Sequence, residues 1–264
     1  MDTNLTTLLI ILGVTALVSV LGLFGGILLL WNENLARRGS RYLISFAAGS
    51  LLGATFLDLL PEALDLTNQA VFAVGWGILS GILVFFILEK LLVWHHHAHR
   101  HALEHETAEP EAASLVSARP LIILGDALHN LLDGAVIAIA FLTAPSLGVI
   151  TALAVVAHEL PQEIGDFSIL LHSGLARRAV FLWNLVGGLV SLLGVGLVFI
   201  ADRQFHSFQG PLLGFIIGNF IYIALADLVP TVHRERDLKR SLAQIALLVV
   251  GILLIWGVGT LLPE

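Results

Sequence analysis

Leu121–Phe141 reads LIILGDALHNLLDGAVIAIAF, and the chain is organised around it and a second stretch, Thr151–Gly174, TALAVVAHELPQEIGDFSILLHSG. Each is long and apolar enough to cross a bilayer, whose hydrocarbon core of about 30 Å takes about 20 helical residues. Yet each carries polar groups at matched spacing. His129, Asn130 and Asp133 stand at i, i+1 and i+4, and His158, Glu159 and Gln162 repeat the pattern. On a helix, i and i+4 share a face and i+1 lies about 100° round. Two such stripes facing each other predict a nest of imidazole nitrogens and oxygens inside an apolar bundle, which is a metal site in outline.

The composition agrees with a membrane setting. Of 264 residues, 57% are hydrophobic and only 12% charged, against about 25% charged in soluble domains; the mean hydropathy is +0.93. There is no cysteine, so neither a disulfide framework nor a thiolate metal site is available. No nucleic-acid partner is expected. The start, MDTNLTTLL, lacks a basic segment before its apolar run, which predicts no cleaved signal or transit peptide.

The hydropathy pattern predicts an all-α integral membrane protein with eight spans, roughly 6–31, 42–62, 71–94, 120–141, 146–173, 179–201, 211–230 and 242–262. Four connections or their edges hold Arg37, Arg38 and Arg41; Lys90, Arg100 and Arg119; Arg177 and Arg178; and Arg234, Arg236, Lys239 and Arg240. Of the 13 basic residues only Arg203 falls on the other side. The positive-inside rule places those four connections in the cytoplasm and both termini outside. The whole chain, 1–264, reads as a single transmembrane domain. Its one long connection, His95–Arg119, holds His95, His96, His97, His99, His101 and His105 among Glu104, Glu106, Glu109 and Glu111. It reads as a histidine-rich cytoplasmic loop without apolar periodicity. The loop sets spans one to three apart from four and five, with six to eight following. This 3+2+3 division suggests an inverted repeat, a common plan of secondary transporters.

Carboxylates at membrane depth cost about 2.5–3.5 kcal/mol each on insertion scales and mark ion paths or reactive sites. Spans four and five hold Asp126, Asp133, Glu159, Glu163 and Asp166; Asp58 and Glu62 lie near the end of span two, and Asp227 near that of span seven. Imidazole with carboxylate suits zinc, iron and other first-row divalent ions. His129, Asp133 and His158 supply two nitrogens and a carboxylate, and Gln162 an amide oxygen. Asn130 and Glu159 stand beside them, able to hold a second ion with Asp133 bridging. Asp126 and Asp166 read either as groups orienting the imidazoles or as helix-terminus and interhelical hydrogen-bonders.

Pro161, between the candidate ligands, leaves the Ala157 carbonyl without its helical partner and predicts a kink. Gly134 and Gly165 predict close helix approach beside the site. Asp58, Pro61 and Glu62 read as a cation-attracting entrance or a solvated helix end. His172 lies where a released ion would emerge. Asn184 and Ser191 share a face of span six, lining the cavity or bonding between helices.

At these residues the chain resembles the ZIP (Zrt/Irt-like) family of divalent metal transporters. The resemblance rests on His129-Asn130-Leu-Leu-Asp133-Gly134 and on His158-Glu159-Leu-Pro161-Gln162-Glu163-Ile-Gly165-Asp166-Phe. The Phe-Leu-Asp58-Leu-Leu-Pro61-Glu62 and Tyr222-Ile-Ala-Leu-Ala-Asp227 runs add to it. It implies import of Zn²⁺, or of Fe²⁺, Mn²⁺ or Cd²⁺, into the cytoplasm across a plasma membrane or bacterial inner membrane. It also implies a site of His129, Asn130, Asp133, His158, Glu159 and Gln162 between helices four and five, often a homodimer, and movement of helices one, four, five and six against the others. One large branch has His where this chain has Gln162, and others Glu. Other members carry a carboxylate near the middle of helix six, where this chain has Ser191. Both departures weaken the case for two ions at once.

The expectation is therefore a carrier of a divalent metal ion embedded in the lipid bilayer, not an enzyme. The competing reading is an intramembrane zinc-dependent hydrolase with Glu159 or Glu163 as general base. It leaves unexplained the polar groups that continue from Glu62 through the site to His172, and the chain lacks the HExxH spacing.

Overall fold

A computed structural model describes residues 3–67, 70–103, 111–205 and 208–262. Among these residues there are helices and no strands. Eight helices are long and apolar enough to cross a membrane, as expected where lipid offers the backbone no hydrogen-bond partner and the chain must satisfy its own. They are α1 (Thr3–Trp31), α2 (Glu33–Leu66), α3 (Val71–Leu103), α4 (Glu111–Thr143), α5 (Pro145–His172), α6 (Arg177–Phe205), α7 (Gln209–His233) and α8 (Leu238–Leu261). The chain is a multi-pass membrane protein.

Local sequence sets several of the ends. Asn32 caps α2, its side chain accepting from the Leu35 N–H at 3.0 Å, and Asp237 caps α8 through the Arg240 N–H at 2.9 Å. At the end of α5, Gly174 takes φ +88°. This lets the Leu175 N–H reach the Leu170 carbonyl and the Gly174 N–H reach that of Leu171, a double closure that favours glycine. The Arg119 guanidinium, near the start of the membrane part of α4, bonds the Ser173 hydroxyl at 2.8 Å and the Ser173 carbonyl. The two central helices are thereby tied at one end. We call this the basic end, since Arg177, Arg178, Arg234 and Arg240 also lie there.

One sequence expectation changes. The backbone of His95–Leu103 and of Glu111–Arg119 is helical, continuing α3 and α4; Ala, Glu and Leu in these stretches are good helix formers, and extending an existing helix avoids nucleation. His105, Glu104, Glu106 and Glu109 lie outside the described residues. Pro161 lies inside α5, which is helical from Pro145 to His172. In α2 and α7, at Ala54–Leu59 and Ile223–Leu228, the helix widens to i→i+5 bonding. The Leu60 N–H reaches the Thr55 carbonyl, and the Val229 N–H that of Ala224. Both turns directly precede the segment carrying a proline, in Asp58-Leu-Leu-Pro61 and Asp227-Leu-Val-Pro230. The wider turn gives room to a ring that has no N–H to donate and would collide with the carbonyl four residues back.

The helices pack as α3 on α7 and α8 on α2, and as α4 on α6 and α1 on α5, with α4 against α5 at the centre. The close approaches come in matched pairs. Gly49 of α2 lies against the Leu248 carbonyl of α8, and Gly218 of α7 against the Ile78 carbonyl of α3. Gly251 of α8 faces the Phe46 carbonyl and Ser50 N of α2, and Gly81 of α3 the Phe215 carbonyl and Asn219 N of α7. Gly25 of α1 abuts the Leu160 carbonyl, and Gly194 of α6 that of Leu131. The interval between members of α1–α2 and their α6–α7 counterparts is constant. It is the same 169 residues that separate Ser19 from Gly188, which are themselves joined by a hydrogen bond where α1 crosses α6.

Buried apolar residues form two clusters. The larger, including Ile11, Val136, Ile137, Val155, Ile216 and Phe220, fills the middle and the end away from the basic side. The smaller, with Leu23, Ile164, Phe167 and Leu170, lies toward the basic end.

Candidate metal centre

Helix α4 supplies His129 and Asp133, one turn apart on one face, and α5 supplies His158 and Glu159. Four side chains from two helices meet at one point. The two imidazole Nε2 atoms are 3.2 Å apart. Asp133 Oδ2 lies 3.2 Å from His158 Nε2 and 3.6 Å from His129 Nε2, and Glu159 Oε1 is 3.6 Å from His129 Nε2. One ligand atom from each of the four falls within 4.8 Å of all the others. Zinc bonds nitrogen and oxygen at about 2.0–2.2 Å, so the edges of a tetrahedral site measure about 3.3–3.6 Å. The four separations given above, 3.2–3.6 Å, are close to that size.

The surroundings fix the ring and starve the carboxylates. His158 Nδ1 donates to the Ala154 carbonyl at 3.1 Å, which leaves the Nε2 lone pair for the cluster. Phe85 of α3 stands edge-on to His129 at 5.8 Å between ring centroids, and Phe220 of α7 to His158 at 6.4 Å. Asp133 is 2% exposed and Glu159 4%. Among the described residues both Asp133 oxygens and Glu159 Oε1 are buried without a hydrogen bond. A buried polar group left unmatched costs about 1–3 kcal/mol, more when charged. A divalent cation would match these oxygens.

Of the six residues expected at the site, His129, Asp133, His158 and Glu159 converge. Gln162, one turn beyond His158, is half-buried. Asn130 turns its amide nitrogen away, toward the Asp126 carboxylate at 2.8 Å and the Asp126 carbonyl at 3.1 Å. Asp126 thus bonds an amide rather than an imidazole. Asn130 also lines a small cavity beside the cluster, together with Thr15, Ser19, Asp133, Glu159 and Ser191. Ser191 bonds the Gly188 carbonyl and Ser19 of α1, an interhelical link as expected, whereas Asn184 bonds back along its own helix, to the Val180 carbonyl. Gly134 does permit close approach, lying against the Ser191 carbonyl, but Gly165 faces open space.

The sequence reading passed over Thr15, Ser19, Gly22, Phe85 and Phe220. Gly22 packs on Glu159, where a Cβ would meet its Cβ and Oε2 at 3.2 Å. Thr15, Ser19 and Gly22 recur at helical spacing in an otherwise apolar span, and that periodicity was the available signal. The aromatic neighbours gave none, since their packing is tertiary.

The chemistry on either side of the cluster differs. α4 runs away from the basic end and α5 toward it, so Asp126, Glu163 and Asp166 all lie between the cluster and that end. Asp126 and Glu163 are buried, and Asp166 is half-buried. Nearer the surface there, Trp31, Glu33, Ser168, His172 and Arg177 line a cavity of about 320 Å³. Toward the opposite end, Ile137, Ala140, Ile150 and Val155 pack tightly. Beyond them one oxygen of Asp58 is buried without a hydrogen bond among the described residues, and Asp58 packs against Gly259 of α8.

Residues 92–259 match the profile of the ZIP zinc transporter family. The chain belongs to that family. It is 34% identical over 225 residues to the zinc transporter ZIP13 of Pongo abelii, covering 80% of this chain and 64% of that protein. It is 29% identical over 317 residues to the ZIP13 homolog of Drosophila melanogaster, covering 95% and 88%, and 30% identical over 239 residues to the zinc transporter YKE4 of Saccharomyces cerevisiae, covering 79% and 68%. The chain spans just under two thirds of the Pongo protein.

Proposed function

We propose that this ZIP family chain carries Zn²⁺, or a related divalent transition-metal ion, into the cytoplasm through a site between α4 and α5. The observation that carries the reading is the convergence of four ligand atoms within 4.8 Å of one another, three of them on buried residues, with both imidazoles and both carboxylates joined by separations of 3.2–3.6 Å, close to the edges of a zinc tetrahedron. Two imidazoles and two carboxylates balance a divalent charge. Neutral His and ionised carboxylate are the binding forms, so loading would release protons. Catalytic zinc keeps a coordination position open; here Glu159 takes the fourth, which argues against a zinc-bound water and a hydrolase.

The matched close approaches support an inverted repeat, α1–α3 with α6–α8 and α4 with α5. Reversed copies of one half give two related conformations, in each of which one end is sealed. With the basic end cytoplasmic, this conformation is closed outside by the Ile137–Val155 layer and lined with acids inside. An ion would leave past Glu163 and Asp166 toward His172. Asp58 and Glu62 would serve as entrance groups once the outer layer parts.

The test is metal uptake into proteoliposomes holding a zinc-sensitive dye. The intact chain should show saturable uptake, and His129→Ala and His158→Ala, purified as folded protein, should show none. Uptake surviving both substitutions would place the path elsewhere.

A further inference from the structure

Asn130 can make itself useful to a cation only through its oxygen, and its hydrogen bonds decide which end of the amide faces the site. Both acceptors that hold it, the Asp126 carboxylate at 2.8 Å and the Asp126 carbonyl at 3.1 Å, require a donor. The amide nitrogen is therefore committed to Asp126. What remains is the acceptor oxygen, on a residue 4% exposed that lines the small cavity with Asp133 and Glu159. Turned over, the same amide would offer that cavity two N–H groups, which repel a cation.

Asp126 is itself held in place. It is 8% exposed, and a Cβ at position 187 of α6 would collide with its Oδ2. Gly187 leaves the room that the carboxylate occupies while its Oδ1 bonds Asn130. Three positions on two helices, Gly187, Asp126 and Asn130, thus form a short chain of contacts ending beside Asp133 and Glu159.

We infer that Asp126 is a positioning residue for metal binding: it fixes the Asn130 amide so that its oxygen faces the ion held by Asp133 and Glu159. The inference rests on the metal-site reading above. It distinguishes Asp126 from a stepping stone that holds the ion by its own charge. A positioning acceptor needs an oxygen at that place but no charge, and it acts only while Asn130 is present.

The experiment measures zinc affinity by competition with a chromophoric chelator on the purified full chain, with the visible spectrum of the Co²⁺-loaded protein as second readout. Asp126→Ala should weaken binding about 10-fold, the low end of the 10–100-fold range for an outer-shell partner, and should alter the Co²⁺ bands. Asp126→Asn keeps an acceptor oxygen and should recover most of that loss. Gly187→Ala, which displaces the carboxylate without removing it, should resemble Asp126→Ala. In an Asn130→Ala background, Asp126→Ala should add nothing. Asp126→Asn as damaging as Asp126→Ala, or fully additive losses with Asn130→Ala, would overturn the inference and favour direct charge on the ion path. His129→Ala separates the two levels. If it abolishes binding while the Asp126 series fails, only this inference falls; if binding survives it, the site reading falls.

Discussion

The two central helices space their polar groups alike and order acid and amide oppositely. His129 and His158, 29 residues apart, meet through their Nε2 atoms, and the close approaches of Leu131 and Leu160 to Gly194 and Gly25 keep that same interval. Around the histidines, however, acid and amide trade places. α4 has the amide at i+1, Asn130, and the carboxylate at i+4, Asp133. α5 has the carboxylate at i+1, Glu159, and the amide at i+4, Gln162. By spacing, Asp133 corresponds to Gln162 and Glu159 to Asn130. Both carboxylates line the small cavity beside α1 and α6. The lesson is that the shared spacing brings the ligands together, and the antisymmetric choice of side chains decides which of them carry charge.

Breaking that antisymmetry should have a large effect. Asp133→Asn and Glu159→Gln combined leave two nitrogens and no charge, and zinc binding in an equilibrium competition assay should disappear. Each alone should weaken binding by more than the roughly 10–100-fold cost of losing an outer-shell partner. Gln162→Ala, which removes a neutral group, should cost less than either. If Gln162→Ala proved as severe as Asp133→Asn, the two carboxylates would not be what sets the affinity.

The outer helices carry the comparison further. α2 and α7 share the widened turn before a proline, with an aspartate in each, yet the aspartates differ in setting: Asp58 is half-buried and Asp227 exposed. Equivalent positions in unequal environments are what one conformation of a two-ended carrier requires. The glycine contacts should behave alike in both halves. Gly49→Val drives a side chain into the Leu248 carbonyl, and Gly218→Val into that of Ile78. Overpacking of this kind costs about 1–3 kcal/mol or more. Thermal unfolding in detergent should show comparable losses, whereas a large loss from one and none from the other would undo the correspondence.

Much of this was legible beforehand, for physical reasons. Eight apolar runs must be helices in lipid, and His129, Asp133 and His158 stand out because polar groups at membrane depth are rare. The 3+2+3 division was legible only as a count of spans, because the matched contacts that bear on it depend on which carbonyl each glycine meets. The orientation of Asn130 could not be read from spacing alone: its partner, Asp126, is a full turn back, and which end of an amide faces a site depends on that partner. Pro161 was the most visible irregularity in the sequence, but the widened turns formed at Pro61 and Pro230. The extension of α3 past His95 was hidden by a polar composition that carries no apolar period.

Gly134 and Gly165 give the smallest and cleanest contrast, since both flank the site and the sequence assigns them the same role. Gly134 touches the Ser191 carbonyl across the α4–α6 contact, while Gly165 has nothing within 4 Å of where a Cβ would stand. Gly134→Ala must separate the two helices locally and shift Ser191, which lines the cavity beside Asp133. It should lower stability and zinc affinity together. Gly165→Ala meets no obstacle, and in a helix interior alanine is favoured over glycine by up to about 1 kcal/mol. Its unfolding temperature should be unchanged or slightly higher and its zinc uptake intact. Loss of uptake in Gly165→Ala would show that position 165 meets a neighbour in another conformation of the cycle, so the substitution also probes whether α5 changes partners as the site turns from one face to the other.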